Sequence, residues 1–272
     1  MKKFLSMQSA MLACMFAAAG LVASHASAQV EGTIFTKEGR EVTGSLSWKG
    51  SARVYNVRIG QVETTVAWDQ VRDLKVKNPP PGLDAAIKVV QDGRSVNSAI
   101  PTLSQIFDKY QMLQYDVVAG RYLAEAYSKS GQHKEAVAVC EKLTRDNPNS
   151  LADPGLAGVY MAELLALDQI SRLKDVLQTI IKQGSRESAA IALVRRGDLE
   201  RKHNNYKDAL VDGYLRAIIL FEDIKTVQPE ALYDASLCFD QLNQATYAER
   251  MRKKLLQSYP QDPYAEKAKS GK

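Results

Sequence analysis

The chain has 272 residues, 45% of them apolar, 25% charged and 7% aromatic. That is enough length and apolar content for one large domain or two modest ones, and it excludes a disordered tail or linker. Three cysteines and three histidines exclude a disulfide framework and a zinc cluster, and a formal charge of +5 is mild for a nucleic-acid binder of this size.

Met1-Lys2-Lys3 supplies a positive start, an apolar stretch runs from about Ala10 to Ala23, and Ala26-Ser27-Ala28 places small residues where a signal peptidase reads them. The expectation is a signal peptide over 1–28, cleaved before Gln29. The apolar stretch is shorter than the ~20 residues of a spanning helix, and Ser24 and His25 end it. Cys14, in Met11-Leu12-Ala13-Cys14, offers the alternative of lipoprotein acylation. That alternative is disfavoured, because Met11 stands where such signals carry Leu and the apolar run continues past the cysteine. Loss of Lys2 and Lys3 lowers the charge from +5 to +3, since residues 1–28 hold no acid. A two-lysine, alanine-rich leader points to a bacterial protein that is periplasmic or secreted. The remaining chain has no second apolar segment of membrane-spanning length, and Cys140 and Cys238 fall in helical apolar patterns as small buried hydrophobes.

Residues 29–77 follow a period of two. Val42, Gly44, Leu46 and Trp48 share one face, followed by Tyr55, Val57 and Ile59, then Val62, Thr64, Val66 and Trp68. Lys37-Glu38-Gly39-Arg40, Lys49-Gly50-Ser51-Ala52 and Gly60-Gln61 separate the runs with turn chemistry. An antiparallel meander follows, with the segment Val71 to Val76 placed to close it. This pattern resembles the SH3-like and Sm-like barrels at the front of bacterial envelope proteins, which implies a small β-barrel-like module. Trp48 and Trp68, the only tryptophans, invite a ligand-stacking role, but their positions in the alternating faces favour core packing. Asn78-Pro79-Pro80-Pro81-Gly82 ends the strand periodicity, and the segment 78–82 reads as a stiff linker.

From residue 83 to 272 the period is 3.6, with breaks near Gly93, Gly131, Pro148, Gly184, Asn204-Asn205 and Gln244. Leu123-Ala124, Tyr127, Gly131, Ala136, Cys140, Leu143 and Pro148 keep the spacing of a tetratricopeptide repeat. Leu232, Ala235-Ser236, Phe239, Asn243, Ala248, Leu255 and Pro260 keep it again. Three poorer copies surround them: one around Leu83 to Ile106, one around Tyr160 to Ile180, and one at Gly197, Asn204 and Ala209 with a second helix expected from Ala209 to about Lys225. Taking Ala99, Ala136, Leu173, Ala209 and Ala248 as equivalent gives steps of 37, 37, 36 and 39 residues. The chain thus resembles tetratricopeptide-repeat proteins. The resemblance implies a mainly α fold, a right-handed solenoid of about five helical hairpins behind the β module. The last repeat is similar to those of the Tol-Pal-associated cell-division coordinators and the barrel-assembly lipoproteins, which implies an envelope scaffold.

Catalytic constellations are lacking. His133 and His203 fall in inter-helix turns, Asp116 with Glu125 and Glu222 with Asp223 are carboxylates of a kind any solvated helix face carries, and no HExxH, GxSxG, P-loop or dinucleotide turn is present. No enzyme activity, cofactor, metal or nucleic acid is therefore expected. In the repeat family the first helix of each hairpin faces the groove, which implies Arg121, Glu125, Ser128, Asp198, Arg201, Tyr233 and Asp240 as partner-binding residues. The expected partners are proteins of the cell envelope, with peripheral contact to outer membrane or cell wall through basic runs such as Arg250 to Lys254. Two alternatives stand beside the scaffold: a lipid-anchored subunit of an outer-membrane assembly, pilus or export complex, and a carbohydrate- or cell-wall-binding β module with a helical appendage.

Overall fold

The structure, a computed structural model, describes residues 30–270, so the expected signal peptide, its cleavage point and Cys14 lie outside the described residues. Five strands form first: β1 (Val30–Thr36), β2 (Glu41–Lys49), β3 (Val54–Ile59), β4 (Val62–Ala67) and β5 (Val71–Val76). All neighbours are antiparallel, in the order β4-β3-β2-β1-β5. The period-two pattern buries Ile34, Leu46 and Val57 completely, and Gly39 and Gly60 supply the left-handed turn positions at φ 85° and 62°.

The connection from β4 to β5 shapes this sheet. The two strands lie at opposite edges yet are joined by a single 3-10 turn, Trp68–Gln70. In a flat sheet the edges would stand about 19 Å apart, whereas the chain from Ala67 to Val71 reaches about 14 Å at most. The sheet therefore curls toward closure. The turn bridges both sides: Trp68 N–H donates to the Arg53 carbonyl at 3.0 Å, and the Gln70 carbonyl accepts from Lys37 N–H at 2.9 Å.

Helices follow the proline segment: α1 (Leu83–Asp92), α2 (Ile100–Lys109), α3 (Asp116–Lys129), α4 (His133–Asp146), α5 (Pro154–Ala166), α6 (Ile170–Gln183), α7 (Arg186–Lys202), α8 (Tyr206–Asp208), a π-helical segment Ala209–Tyr214 that continues into α9 (Leu215–Leu220), then α10 (Gln228–Gln241), α11 (Ala245–Ser258) and α12 (Pro263–Ser270). They form five consecutive hairpins, with α12 packed on the last.

The turns of hairpins two to five share one construction. Gly131, Asp168, Asn204 and Asn243 adopt φ 76°, 56°, 61° and 56°. The next residue in each turn, Gln132, Gln169, Asn205 or Gln244, donates its N–H to the carbonyl of Tyr127, Leu164, Glu200 or Phe239 at 2.8–2.9 Å. This six-to-one bond is the Schellman helix stop, and glycine, asparagine and aspartate are the residues that tolerate its left-handed corner. Ala136, Leu173, Ala209 and Ala248 each follow the corner by five residues and are completely buried, so the register read from the sequence is the structural one. In the first hairpin a 3-10 turn, Val96–Ser98, precedes the second helix, and this copy is irregular, as its sequence indicated.

Two expectations are corrected. The second helix of hairpin four does not run from Ala209 to Lys225: its helical path starts at Tyr206, ends at Leu220 and widens into a π turn. A methyl group on Gly213 would meet the Cα and N of Gly197 at 2.5 Å, so α7 and the π segment touch backbone to backbone. Asp116 is not a solvated carboxylate. It is 6% exposed, and its Oδ2 accepts from Met112 N–H at 2.8 Å. Burial raises its pKa, against the lowering effect of the N–H groups of Met112 and Val117.

The apolar core crosses the proline segment. One cluster runs from Val30 in the sheet to Leu199 in α7, and a second runs from Ala190 to Ala265. The Tyr55 hydroxyl donates to the Met112 carbonyl at 3.0 Å, and Val76 N–H donates to Gln114 Oε1 at 2.8 Å, seating the sheet on the connection between α2 and α3. Trp48 packs against Tyr55 with ring centroids 4.9 Å apart, and the Arg53 guanidinium lies 4.7 Å over Trp68. Cys140 and Cys238 are buried and free.

Candidate functional site

Arg121, Glu125 and Ser128 stand ten, six and three residues before the turn residue Gly131. The same offsets select Gly158, Ala162 and Leu165 in hairpin three, Val194, Asp198 and Arg201 in hairpin four, and Tyr233, Leu237 and Asp240 in hairpin five. Spacings of four and three hold each set on one helix face, so all seven expected partner-binding residues belong to a single track across the first helices. The set in hairpin three was missed because it contains no polar residue. Its signal is the corner at Asp168, which fixes the register of a repeat that lacks the usual glycine.

In hairpin two the track is tied to its neighbours. Arg121 pairs with Asp153 at 3.5 Å, and its guanidinium lies 4.7 Å over the Tyr122 ring; Gly155 leaves room for its side chain, which a Cβ there would strike. Glu125 pairs with Lys129 at 2.9 Å, whose Nζ also donates to the Val90 carbonyl at 2.7 Å. The Ser128 hydroxyl donates to Glu163 Oε1 at 2.6 Å, and His133 Nδ1 lies 2.6 Å from Glu163 Oε2. Glu163 is 4% exposed. His133, expected as a plain exposed turn residue, instead joins hairpins two and three.

Asp198 and Arg201 are brought together in a buried network. Tyr214 donates its hydroxyl proton to Asp198 at 2.7 Å and accepts from Arg201 Nε at 3.1 Å. Arg195 pairs with Asp198 and makes two bonds to Glu230, at 2.8 and 2.9 Å. Arg201 reaches Asp234 at 3.4 Å. Burial pushes the Asp234 carboxyl up to about 7, with Arg201 pulling it down and Asp198 and Glu230 pushing it further up. Burial also lifts the Tyr214 hydroxyl far above its usual range, and Asp198 adds to the shift. Burial works against the charge on Arg195, but Asp198 and Glu230 outweigh it and hold the guanidinium protonated. Arg195 and Arg201 of α7 thereby pair with Asp198 of α7 and with Glu230 and Asp234 of α10.

In hairpin five, Tyr233 lies beneath α12, its ring 5.6 Å from that of Tyr264. Asp240 is held by Arg252 of α11 at 2.5 and 3.1 Å.

Internal pairing ties the polar residues of the track in hairpins two and five, where a cleft of about 260 Å³ lined by Tyr233, Leu237, Asp240 and Arg252 remains, and the track also opens in its middle. A cleft of about 350 Å³ is lined by Leu165, Asp198, Arg201 and Lys202, beside the partly exposed row Gly158, Ala162 and Leu165. Lys202 at its edge donates to the Leu165 carbonyl at 3.1 Å and to Asp168 at 2.8 Å. Small side chains there leave backbone and one leucine as the floor, with charges on either side. Among the described residues no group of three or more His, Cys, Asp and Glu is placed to hold a metal ion, and no described helix is long and apolar enough to cross a membrane.

Comparison with known proteins identifies the repeat. Residues 119–150 match the tetratricopeptide repeat family model. Among solved structures, the chain is similar to TTC0263, a thermophilic TPR protein in Thermus thermophilus, with 18% identity over 69% of this chain and 95% of that chain at a TM-score of 0.51. MamA AMB-1 aligns with 16% identity over 71% of this chain and 99% of that chain at a TM-score of 0.45. YrrB, a TPR protein with an unusual peptide-binding site, aligns with 16% identity over 71% and 92% at 0.43. No curated protein matches. With the shared turn construction and the match over 119–150, the helical hairpins have the tetratricopeptide-repeat fold.

Proposed function

We propose that the protein is a non-catalytic scaffold of the bacterial cell envelope that holds a protein partner along the first-helix track of hairpins two to four. The observation that carries this reading is the row Gly158, Ala162 and Leu165, small and apolar, between the charged sets of Arg121–Glu125 and Asp198–Arg201. An extended segment or helix of a partner lays an apolar side chain on that row and meets polar groups on each side. The leader sequence supports export, and the likeness of the last repeat to envelope coordinators supports the compartment. We read the curled sheet as an SH3-like barrel, because β5 returns to pair with β1 after a single 3-10 turn. Its tryptophans serve packing, and the sheet offers a second contact surface.

The test is retention of a partner from the bacterial envelope by the tagged protein. Ala162→Arg and Leu165→Arg fill the open row with charge and are expected to abolish retention with an unchanged melting temperature. Full retention by both variants refutes the reading. Mass determination of the mature N-terminus tests the compartment: a chain starting at Gln29 agrees with it, and an acylated Cys14 replaces it with the lipid-anchored form.

A further inference from the structure

The cations on the first-helix track already have acidic partners: Arg121 with Asp153, Lys129 with Glu125, Arg195 with Glu230, Arg201 with Asp234 and Lys202 with Asp168. Another cleft presents the opposite situation. It measures about 500 Å³ and opens between α6, α7 and the π segment, where the two apolar clusters meet. Leu177, Ile181 and Leu199 form its apolar part, and Lys174, Lys182 and Arg196 line it as well. None of these three cations forms an ion pair among the described residues.

The geometry points to a peptide-binding site in this cleft, taking an extended acidic segment of the form acid-x-apolar-x-acid. Lys174 and Lys182 are eight residues apart on α6, which is about 12 Å along a helix axis. No single small anion spans that distance. In an extended chain, residues four apart lie about 13 Å from each other on the same side, with the residue between them on that side too. Carboxylates at the first and fifth positions thus reach Lys174 and Lys182, while the third side chain falls beside Gln178, which lies between the lysines on α6, and against Ile181.

Glu200 and Asp212 also line the cleft, from α7 and from the π segment. Glu200 accepts from Asn205 Nδ2 at 2.9 Å. Their negative charge repels carboxylates from that wall and directs them to α6, which fixes the side on which the peptide runs. The π turn, a feature that recurs at functional sites, carries Asp212 into the lining. This site is separate from the first-helix track and stands or falls independently of it.

Fluorescence anisotropy of labelled five-residue peptides with the purified protein at low salt tests the proposal. The peptide Glu-Ala-Leu-Ala-Glu is expected to bind about ten-fold more tightly than Gln-Ala-Leu-Ala-Gln and than the misplaced Glu-Glu-Leu-Ala-Ala. The double variant Lys174→Glu with Lys182→Glu, at two exposed positions, is expected to lose about ten-fold in affinity at an unchanged melting temperature. Lys88→Glu with Lys253→Glu makes the same change in net charge elsewhere and is expected to bind as the unaltered protein does. Equal binding of the glutamine peptide, equal losses in the two double variants, or no anisotropy change up to about 1 mM protein overturns the proposal.

Discussion

The hydroxyl of Tyr55 on β3 donates to the carbonyl of Met112 at 3.0 Å, across 57 residues of sequence and inside the shared core. Met112 is itself at φ 58°, held there by the bond from its N–H to Asp116. A strand residue, a strained connection and a buried carboxylate thus form one chain of contacts between the sheet and the hairpins. Burial and the Asp116 charge raise the Tyr55 pKa, which keeps the hydroxyl protonated and donating. Tyr55→Phe leaves the Met112 carbonyl buried without its donor and is expected to cost about 1–3 kcal/mol. Chemical denaturation followed separately by tryptophan fluorescence, which reports on the sheet, and by far-ultraviolet circular dichroism, which reports on the helices, should show both transitions move together. Movement of the tryptophan signal alone would show that the sheet is an independent unit.

The contact of Gly197 with Gly213 predicts a position that accepts no side chain. Gly213→Ala drives a methyl group into the backbone of α7 and is expected to destabilise the protein by about 1–3 kcal/mol. Gly60→Ala is the informative comparison, because that residue has φ 62° with nothing within 4 Å of the added carbon. Its cost is conformational strain alone, about 1–2 kcal/mol. Thermal melts separate the two causes when Gly60→Asn is added: asparagine tolerates the left-handed corner and should recover most of the Gly60 loss, whereas Gly213→Asn should be worse than Gly213→Ala.

Arg195 is the centre of the buried network, and removing it takes a guanidinium partner from two carboxylates. Arg195→Met leaves Asp198 and Glu230 without their shared cation and is expected to cost about 3–5 kcal/mol. Arg252→Met removes an exposed pair with Asp240 and is expected to cost less than about 1 kcal/mol. Urea denaturation of both variants measures the difference. A similar small loss in each would mean that the buried charges are not coupled as their geometry indicates.

Asp234 gives stability a definite pH dependence. Its carboxyl titrates near 7 in the folded protein, against 3.8 for the ordinary group, so the folded state binds the proton more tightly. The stabilisation from that proton is complete below about pH 3.8 and is lost as the pH rises through about 7. Asp234→Asn removes this contribution. Between about pH 5 and pH 8, the melting temperature of the unaltered protein should fall more than that of the variant. A variant that loses more than the unaltered protein at the higher pH would show that attraction to Arg201 outweighs burial.

What the sequence disclosed follows from the range of each interaction. The sheet turns at Gly39 and Gly60, and the buried anchors Ala136, Leu173, Ala209 and Ala248, are legible because alternation and helix stops act over a few residues. Glu163 with Ser128 and His133, and Arg195 with Glu230, were not legible, because each joins residues 30 to 35 positions apart on adjacent hairpins. Asp116 reads as a surface carboxylate although it is buried, because its Met112 contact lies in the connection between α2 and α3, which helical periodicity does not describe. The open row of Gly158, Ala162 and Leu165 lies between these extremes. It follows from the repeat register once Asp168 is recognised as the corner residue, but a search for polar binding residues passes over it. The π turn at Ala209–Tyr214 has a partial sequence counterpart in Gly213, whose close approach to Gly197 depends on tertiary packing.

The central claim, that the open row of hairpin three is where a partner rests, is tested most directly by site-specific photo-crosslinking in living bacteria. A photoreactive residue in place of Ala162 is compared with one in place of Tyr247, which is 50% exposed on α11. The account predicts a discrete crosslinked envelope protein from position 162, absent from position 247 and lost when Leu165→Arg is added. No adduct from position 162, or the same adducts from both positions, would contradict it.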